Sequence, residues 1–293
     1  MQAPRAILFD HIPKCAGTSL ADHLFAHCDG RPVLRLDGRS QDEAARAFAA
    51  LPEATRHGYA LIAGHGAFRL APFTAPDTLR ITVLRDPVER IASLHRYILQ
   101  TPAHYLHAEV TRDLPRLADF AATHPTLEVR DFVTWHYTGL PPAEIARDPD
   151  EAARRAFDLL RAEFDLVGFT EDMDPFVARL DERAGFANTR RHARHDGRTR
   201  ERSLLARLRV LLGMRASSDA HGHARGLARA NASRPRGDDR AIPPDARAAI
   251  EARNPADLAL HALLLAPEHA RAEAPGTTAA PRAEIVRPRA TRK

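Results

Sequence analysis

The sequence predicts an α/β fold of three layers, a central parallel sheet flanked by helices. Three observations lead there. Short apolar runs recur between residues 5 and 170. Segments with helical spacing separate them. One run, Leu79–Asp86, passes straight into a helix start with its own capping residues.

The elements follow in order. "RAILFDHI" (Arg5–Ile12) is a compact apolar run and reads as a buried strand. "TSLADHLFAHC" has helical spacing at Leu20, Leu24 and Ala26, with Phe25 beside them. "RPVLRLDG" adds a further strand. "YALIAGH" (Tyr59–His65) is the next, and "LRITVLRD" (Leu79–Asp86) follows, rich in β-branched residues. In "DPVERIASLHRYIL", Asp86 fits an N-cap, Pro87 the first helical position and Glu89 the closing residue of a capping box. Ile91, Leu94 and Ile98 give this helix one apolar face. Helices are expected over Leu114–Ala122, Val129–Tyr137 and Asp150–Glu163. "FDLVGFT" (Phe164–Thr170) is a strand, followed by the helix "EDMDPFVARLDERAG". Two helices near Asp245–Arg253 and Asn254–Leu265 close the fold.

The chain of 293 residues contains no run of eighteen apolar residues, so no helical span of a bilayer is expected. Its N-terminus lacks the long apolar stretch of a secretory signal. Two cysteines, Cys15 and Cys28, cannot build a disulfide framework, and a cytoplasmic location is expected. The net charge of +5 is uneven. Residues 190–240 carry about fourteen Arg against five acids, and the stretch from Ala270 adds about +4. The excess is therefore local and does not point to nucleic acid. The expected organisation is one domain over 1–269, with a basic, partly flexible insertion at 189–230 and a disordered Ala/Pro/Arg tail at 270–293. Within the insertion, "SLLARLRVLLGMR" (203–215) is basic and amphipathic. It suits peripheral contact with the inner face of a membrane, a cover over an acceptor groove, or an ordinary packing helix. His192, His195, His221 and His223 stand there without Cys or acidic partners, which reads as solvated loop, and no metal is expected.

The chain has only two lysines, Lys14 and Lys293, among 43 basic residues. Lys14 lies in "HIPKCAGTSL", between a strand and a helix. The first N–H groups of a helix lack partners within it and carry the positive end of its dipole. Gly17 admits a ligand close to the backbone, Thr18 and Ser19 offer hydroxyls, and Lys14 offers a compact charge. The set suits a terminal phosphate or sulfate. A plain strand-to-helix turn is the simpler alternative. A kinase-type loop fails on spacing, because its Lys directly follows the last Gly, whereas Lys14 precedes Gly17 by three. Cys15, at the helix N-terminus beside Lys14, reads either as a thiol of lowered pKa or as a small residue filling the turn. Arg85 leaves the end of another strand, and Ser93 lies two turns into the next helix. Ligands of open parallel sheets bind beyond the carboxyl ends of strands, so these groups can face one ligand.

Together these pieces resemble the sulfotransferases that use 3′-phosphoadenosine 5′-phosphosulfate (PAPS), and most of all the carbohydrate group that includes heparan sulfate 2-O- and chondroitin/dermatan sulfotransferases. The resemblance implies a P-loop-like fold. It assigns Lys14, Ala16, Gly17, Thr18 and Ser19 to the 5′-phosphosulfate, and Arg85 and Ser93 to the 3′-phosphate. Cys15 stands where the family usually has Thr. "LVGFTEDMDPFVARL" and "NAS…NPADLALHALL" match two further stretches, through Asn231, Ser233, Asn254, Pro255 and Asp257, with His261 where a Tyr is expected. The likeness covers about residues 5–188 and 231–266.

The implied reaction moves a sulfuryl group to a hydroxyl, most naturally of a glycan. PAPS is the co-substrate and no metal takes part. Lys14 follows the charge on the departing oxygen. His65, which ends "LIAGH" between two glycines, is the base, matching a Gly-His of the 2-O-type enzymes. His11 competes for that role, but its place before Pro suits ordering of the loop. Acceptor contacts are sought at Arg69, His95, Arg96, His104, Tyr105 and Trp135. Two rivals stay open: another P-loop phosphotransferase, and a catalytically silent nucleotide-binding protein.

Overall fold

The structure, a computed structural model, describes residues 5–28, 30–37, 41–186, 241–267 and 283–289. Six strands, β1 (Ile7–Asp10), β2 (Val33–Asp37), β3 (Leu61–His65), β4 (Leu79–Leu84), β5 (Leu166–Phe169) and β6 (Glu284–Ile285), form one parallel sheet. Their order is β2-β3-β1-β4-β5-β6. Helices flank the sheet, as the alternation of apolar runs and helical spacing predicts. Chain order makes β1 and β4 the switch point. The chain leaves β1 toward β2 on one side and leaves β4 toward β5 on the other, and ligands of open parallel sheets bind beyond the carboxyl ends of strands at such a point.

The chain divides into two compact units. The first comprises the described residues of Met1–Phe9, Thr18–Thr78 and Ala184–Ala241. It holds β2 and β3, in register from Val33↔Leu61 to Asp37↔His65. It also holds most of α1 (Gly17–Phe25), together with α2 (Gln41–Ala49) and α3 (Glu53–His57). Its core gathers Leu8, Leu34, Phe48, Tyr59, Ile62 and Leu70. β3 alternates poorly because it is buried on both faces, as parallel strands are.

The second unit comprises Asp10–Gly17, Leu79–Arg183 and the described residues of Ile242–Lys293. β4 pairs with β5 from Ile81↔Leu166 to Leu84↔Phe169. Its helices are α4 (Pro87–Gln100), α5 (His107–Asp113), α6 (Leu117–Thr123), α7 (Phe132–Thr138), α8 (Pro142–Arg147), α9 (Pro149–Glu163), α10 (Met173–Ala184, whose last residue falls to the first unit), α11 (Pro244–Arg253) and α12 (Pro255–Leu265). The predicted apolar face of α4, Ile91, Leu94 and Ile98, packs with Val110 of α5, Phe120 of α6 and Ile250 of α11. The helix expected over Leu114–Ala122 begins later, as α6 at Leu117, because Pro115 stands in the turn that follows the end of α5 at Asp113. The expected helix from Val129 begins later: Asp131 takes a left-handed conformation (φ 42°) and starts α7 after a turn of 3₁₀ helix.

Two further expectations need correction. The tail at 270–293 is not disordered throughout: Glu284 and Ile285 form β6 beside Leu166 and Val167 of β5. The reason is local. The Glu284 carboxylate accepts from Arg179 Nε at 2.8 Å and from Arg183 Nη1 at 3.5 Å, and the average Ala/Pro/Arg composition hides so short a strand. The capping box at α4 is only half made. Asp86 Oδ1 accepts from Glu89 N–H at 3.0 Å, but the Glu89 carboxylate turns to Arg85 Nη2 at 3.3 Å. The Asp86 N–H donates instead to Glu171 Oε1 at 2.9 Å.

Candidate functional site

The loop after β1 and the segment after β4 meet in the second unit. Lys14 and Ala16 have φ of 67° and 53°, left-handed values that cost a non-glycine residue about 1–3 kcal/mol each. Successive N–H groups in such turns can form anion-binding concavities, although here the Cys15 N–H donates to the Ile12 carbonyl at 3.2 Å. Gly17 is required here because a Cβ would overlap the His11 ring. Arg85 fixes the loop from the other side, its Nη1 donating to the Lys14 carbonyl at 3.4 Å. Arg85, Ala16, Glu89, Thr170 and Glu171 line an open cleft of about 420 Å³.

Electrostatics single out Lys14. Burial, with Arg85 beside it, lowers its pKa to about 8, against an opposing pull from Glu128. Its ammonium lies 3.8 Å from the centroid of the Tyr97 ring. The reactive reading of Cys15 is overturned. The thiol is fully buried, and that burial pushes its pKa up to about 12 despite Arg90 and Arg85. It fills the turn.

Behind the loop stands a buried polar network. His136 Nε2 lies 2.8 Å from Asp10 Oδ2, and Thr82 Oγ1 donates to the Asp10 carbonyl at 3.0 Å. Tyr137 Oη and Thr82 Oγ1 share a hydrogen bond of 2.9 Å. Burial beside Asp10 raises the Tyr137 pKa well above its ordinary value. The network ties the last residue of β1 to α7. In turn α7 and α12 cap each other. Asp257 accepts from Val133 and Thr134 N–H, at 3.1 and 2.8 Å, and Asp131 Oδ1 accepts from Asp257 N–H at 2.9 Å. Asn254 accepts from the Asp131 N–H and donates to the Val129 and Ile250 carbonyls. Burial and the neighbouring Asp257 raise Asp131 to about 7. Asn254 and Asp257 of "NPADL" thus form an architectural clasp between α7 and α12.

The remaining expected residues separate. Ser93 is half-buried on the same face of α4 as Glu89 and Tyr97, spaced by four. His65 ends β3 in the first unit, half-buried, and Thr18 and Ser19 are exposed there at the start of α1. A Cβ on Gly64 (φ 140°) would run into the Leu36 carbonyl, so the residue before His65 is confined to glycine. Arg69 donates to Asp42 at 2.6 Å in that unit.

One acceptor candidate, His95, belongs to the core and is withdrawn, and a second, Trp135, is half-buried. His95 is buried, its Nε2 3.0 Å from the Leu114 carbonyl and its ring beside Phe120. Its place between α4 and the turn before α6 explains this. Trp135 packs with Leu140 against Ile145, Ala152 and Ala256. Arg96 is exposed on α4. His104 stacks on the exposed Tyr105 and meets the Tyr97 ring edge-on. His261 is half-buried with its ring edge-on to Phe169, and desolvation lowers its pKa.

Tyr97, Asp10, His136 and Glu171 escaped the reading of the sequence. Asp10 carried a signal, a carboxylate ending an apolar strand. The others sit at helical or loop positions with no local mark. The insertion at 189–230 with its amphipathic stretch 203–215 and four histidines, and Asn231 and Ser233, lie outside the described residues. Among the described residues no group of three or more metal-ligating side chains gathers, and no helix is long and apolar enough to cross a membrane. Comparisons with protein-family models and with curated proteins find no match to this chain.

Proposed function

We propose that this chain is a PAPS-dependent sulfotransferase acting on a hydroxyl group, most naturally of a glycan. The observation that carries the reading is the junction of Lys14 and Arg85. Both follow neighbouring strands of the sheet, a hydrogen bond joins Arg85 to the Lys14 carbonyl, and Arg85 lines one cleft with Ala16. A compact ammonium and a planar guanidinium side by side suit a nucleotide with anions at both ends.

In the proposed reaction the acceptor oxygen attacks sulfur, and the bond from sulfur to the 5′-phosphate oxygen breaks. 3′,5′-Diphosphoadenosine leaves, and the acceptor proton passes to a general base, the role that the sequence assigns to His65. Lys14 neutralises the charge that builds on the departing oxygen, and its low pKa leaves the free ammonium ready to gain from that charge. Arg85 and Ser93 take the 3′-phosphate, and Arg85 must then share or exchange its pairing with Glu89.

A rival phosphotransferase reading keeps one specific support. Glu171 follows β5 directly and lines the cleft with Glu89, so a carboxylate near a neighbouring strand is present after all. Its engagement with the Asp86 N–H argues for a positioning role instead. The test is transfer of radiolabelled sulfate from PAPS to a panel of glycans, with His65→Ala as control. Labelled product from the wild type alone supports the reading. Absence of transfer, with phosphate transfer from ATP in the same assay, contradicts it.

A further inference from the structure

Lys14 is held at two points. Its carbonyl accepts from Arg85, and its ammonium rests on the face of Tyr97 rather than on a carboxylate. Tyr97 is one of three large hydrophobic residues exposed among the described residues, at 42 %, with Tyr105 and Leu127. An exposed tyrosine on an amphipathic helix usually needs no explanation. This one continues the stripe Glu89, Ser93, Tyr97 along α4, and His104 meets its ring at 85°. The charged and titratable groups acting on the ammonium are Arg85, Arg96, Glu128 and Cys15, and Lys14 in turn acts on His104.

We propose that Tyr97 is a positioning residue whose ring face holds the Lys14 ammonium at the mouth of the cradle in the empty protein and yields it to an arriving anion. The chemistry favours a ring for this task. A carboxylate would hold the ammonium tightly and repel the incoming phosphosulfate. A ring face attracts the cation through its quadrupole, carries no net charge and releases it readily. The phenol hydroxyl is not needed, so phenylalanine should serve and leucine should not. The hand-over rests on the proposed role of Lys14. The holding does not.

The scarcity of lysine makes the test direct. Reductive methylation with carbon-13 formaldehyde labels Lys14, Lys293 and the terminal amine, and nuclear magnetic resonance reads each through pH. In the wild type the Lys14 methyl signal should lie upfield of Lys293 through the ring current. Tyr97→Phe should keep that offset. Tyr97→Leu should lose it and lower the Lys14 midpoint by about 0.5–1 pH unit. Adding 3′,5′-diphosphoadenosine to the wild type should erase the offset and raise the midpoint. Coincident Lys14 and Lys293 signals in the empty wild type, or equal behaviour of the Phe and Leu variants, would overturn the proposal. So would an unchanged offset when calorimetry shows the nucleotide bound. If the nucleotide does not bind at all, the sulfotransferase reading fails, and the Phe and Leu pair alone decides whether Tyr97 holds Lys14.

Discussion

Two turns leave parallel strands in this molecule and solve the same problem in opposite ways. After β3, the chain turns through Gly64 (φ 140°) and Gly66 (φ 78°) on either side of His65. Glycine adopts these angles at little steric cost. After β1, the chain turns through Lys14 and Ala16, which have side chains and positive φ. The first turn is relaxed and the second is strained. Strain persists only where the surroundings over-determine it. Here they do: His11 lies against Gly17, Arg85 grips the Lys14 carbonyl, and the Asp10–His136 pair anchors the strand end. The difference teaches where the molecule holds non-glycine residues, Lys14 among them, at a cost in stability.

The largest effect should fall on chemistry. His65→Ala should lower turnover by about 10²–10⁴-fold while 3′,5′-diphosphoadenosine affinity stays unchanged, as read by steady-state kinetics and calorimetry. Wild-type-like turnover would remove His65 as the base. Next comes the relaxed turn. Gly64→Ala should cost about 2–4 kcal/mol in urea unfolding, because its Cβ meets the Leu36 backbone and its φ is unsuited to alanine. The strained turn should respond in the opposite direction. Ala16→Gly should raise stability by up to about 1 kcal/mol, the relief of a left-handed angle less the entropy of glycine. A loss of stability there would show that the turn after β1 is not strained.

The clasp between α7 and α12 gives a pH test. The folded-state pKa of Asp131 is raised to about 7, above the 3.8 of the free carboxyl. The folded state therefore binds the proton more tightly. The stability from this group is fully present below pH 4 and is lost as pH rises toward 7. Asp131→Asn keeps an oxygen for the Asp257 N–H and should flatten that part of the urea midpoint profile between pH 4 and 7. An unchanged profile would contradict the clasp electrostatics.

Much of this was legible in the sequence, for identifiable reasons. The strands of the sheet interior announced themselves through β-branched and apolar runs such as "LRITVLRD", and α4 through Asp86, Pro87 and its 3.6-residue face. The loop after β1 was legible as a local string, since Lys14 and Gly17 stand between an apolar strand and a helix start. Contacts between distant segments were not. Glu171 reaching the Asp86 N–H spans 85 residues, and Asp10 meeting His136 spans 126. Nothing in "TWHYTG" marks the histidine that anchors the first strand. His95 looked like a ligand contact because imidazole groups serve cores and sites alike, and only burial separates the two uses.

The central claim is that the Lys14–Arg85 junction binds a nucleotide with phosphates at the 3′ and 5′ ends. Titration calorimetry of the wild type with 3′,5′-diphosphoadenosine, and separately with ATP and magnesium, tests it most directly. The account predicts that the diphosphate binds and ATP binds more weakly. It predicts that Arg85→Ala weakens the diphosphate by about 10–100-fold, the loss of one charge-assisted contact. It also predicts that Lys14→Arg retains binding but transfers sulfate poorly. Tighter binding of ATP, or an Arg85→Ala variant indistinguishable from the wild type, would contradict it.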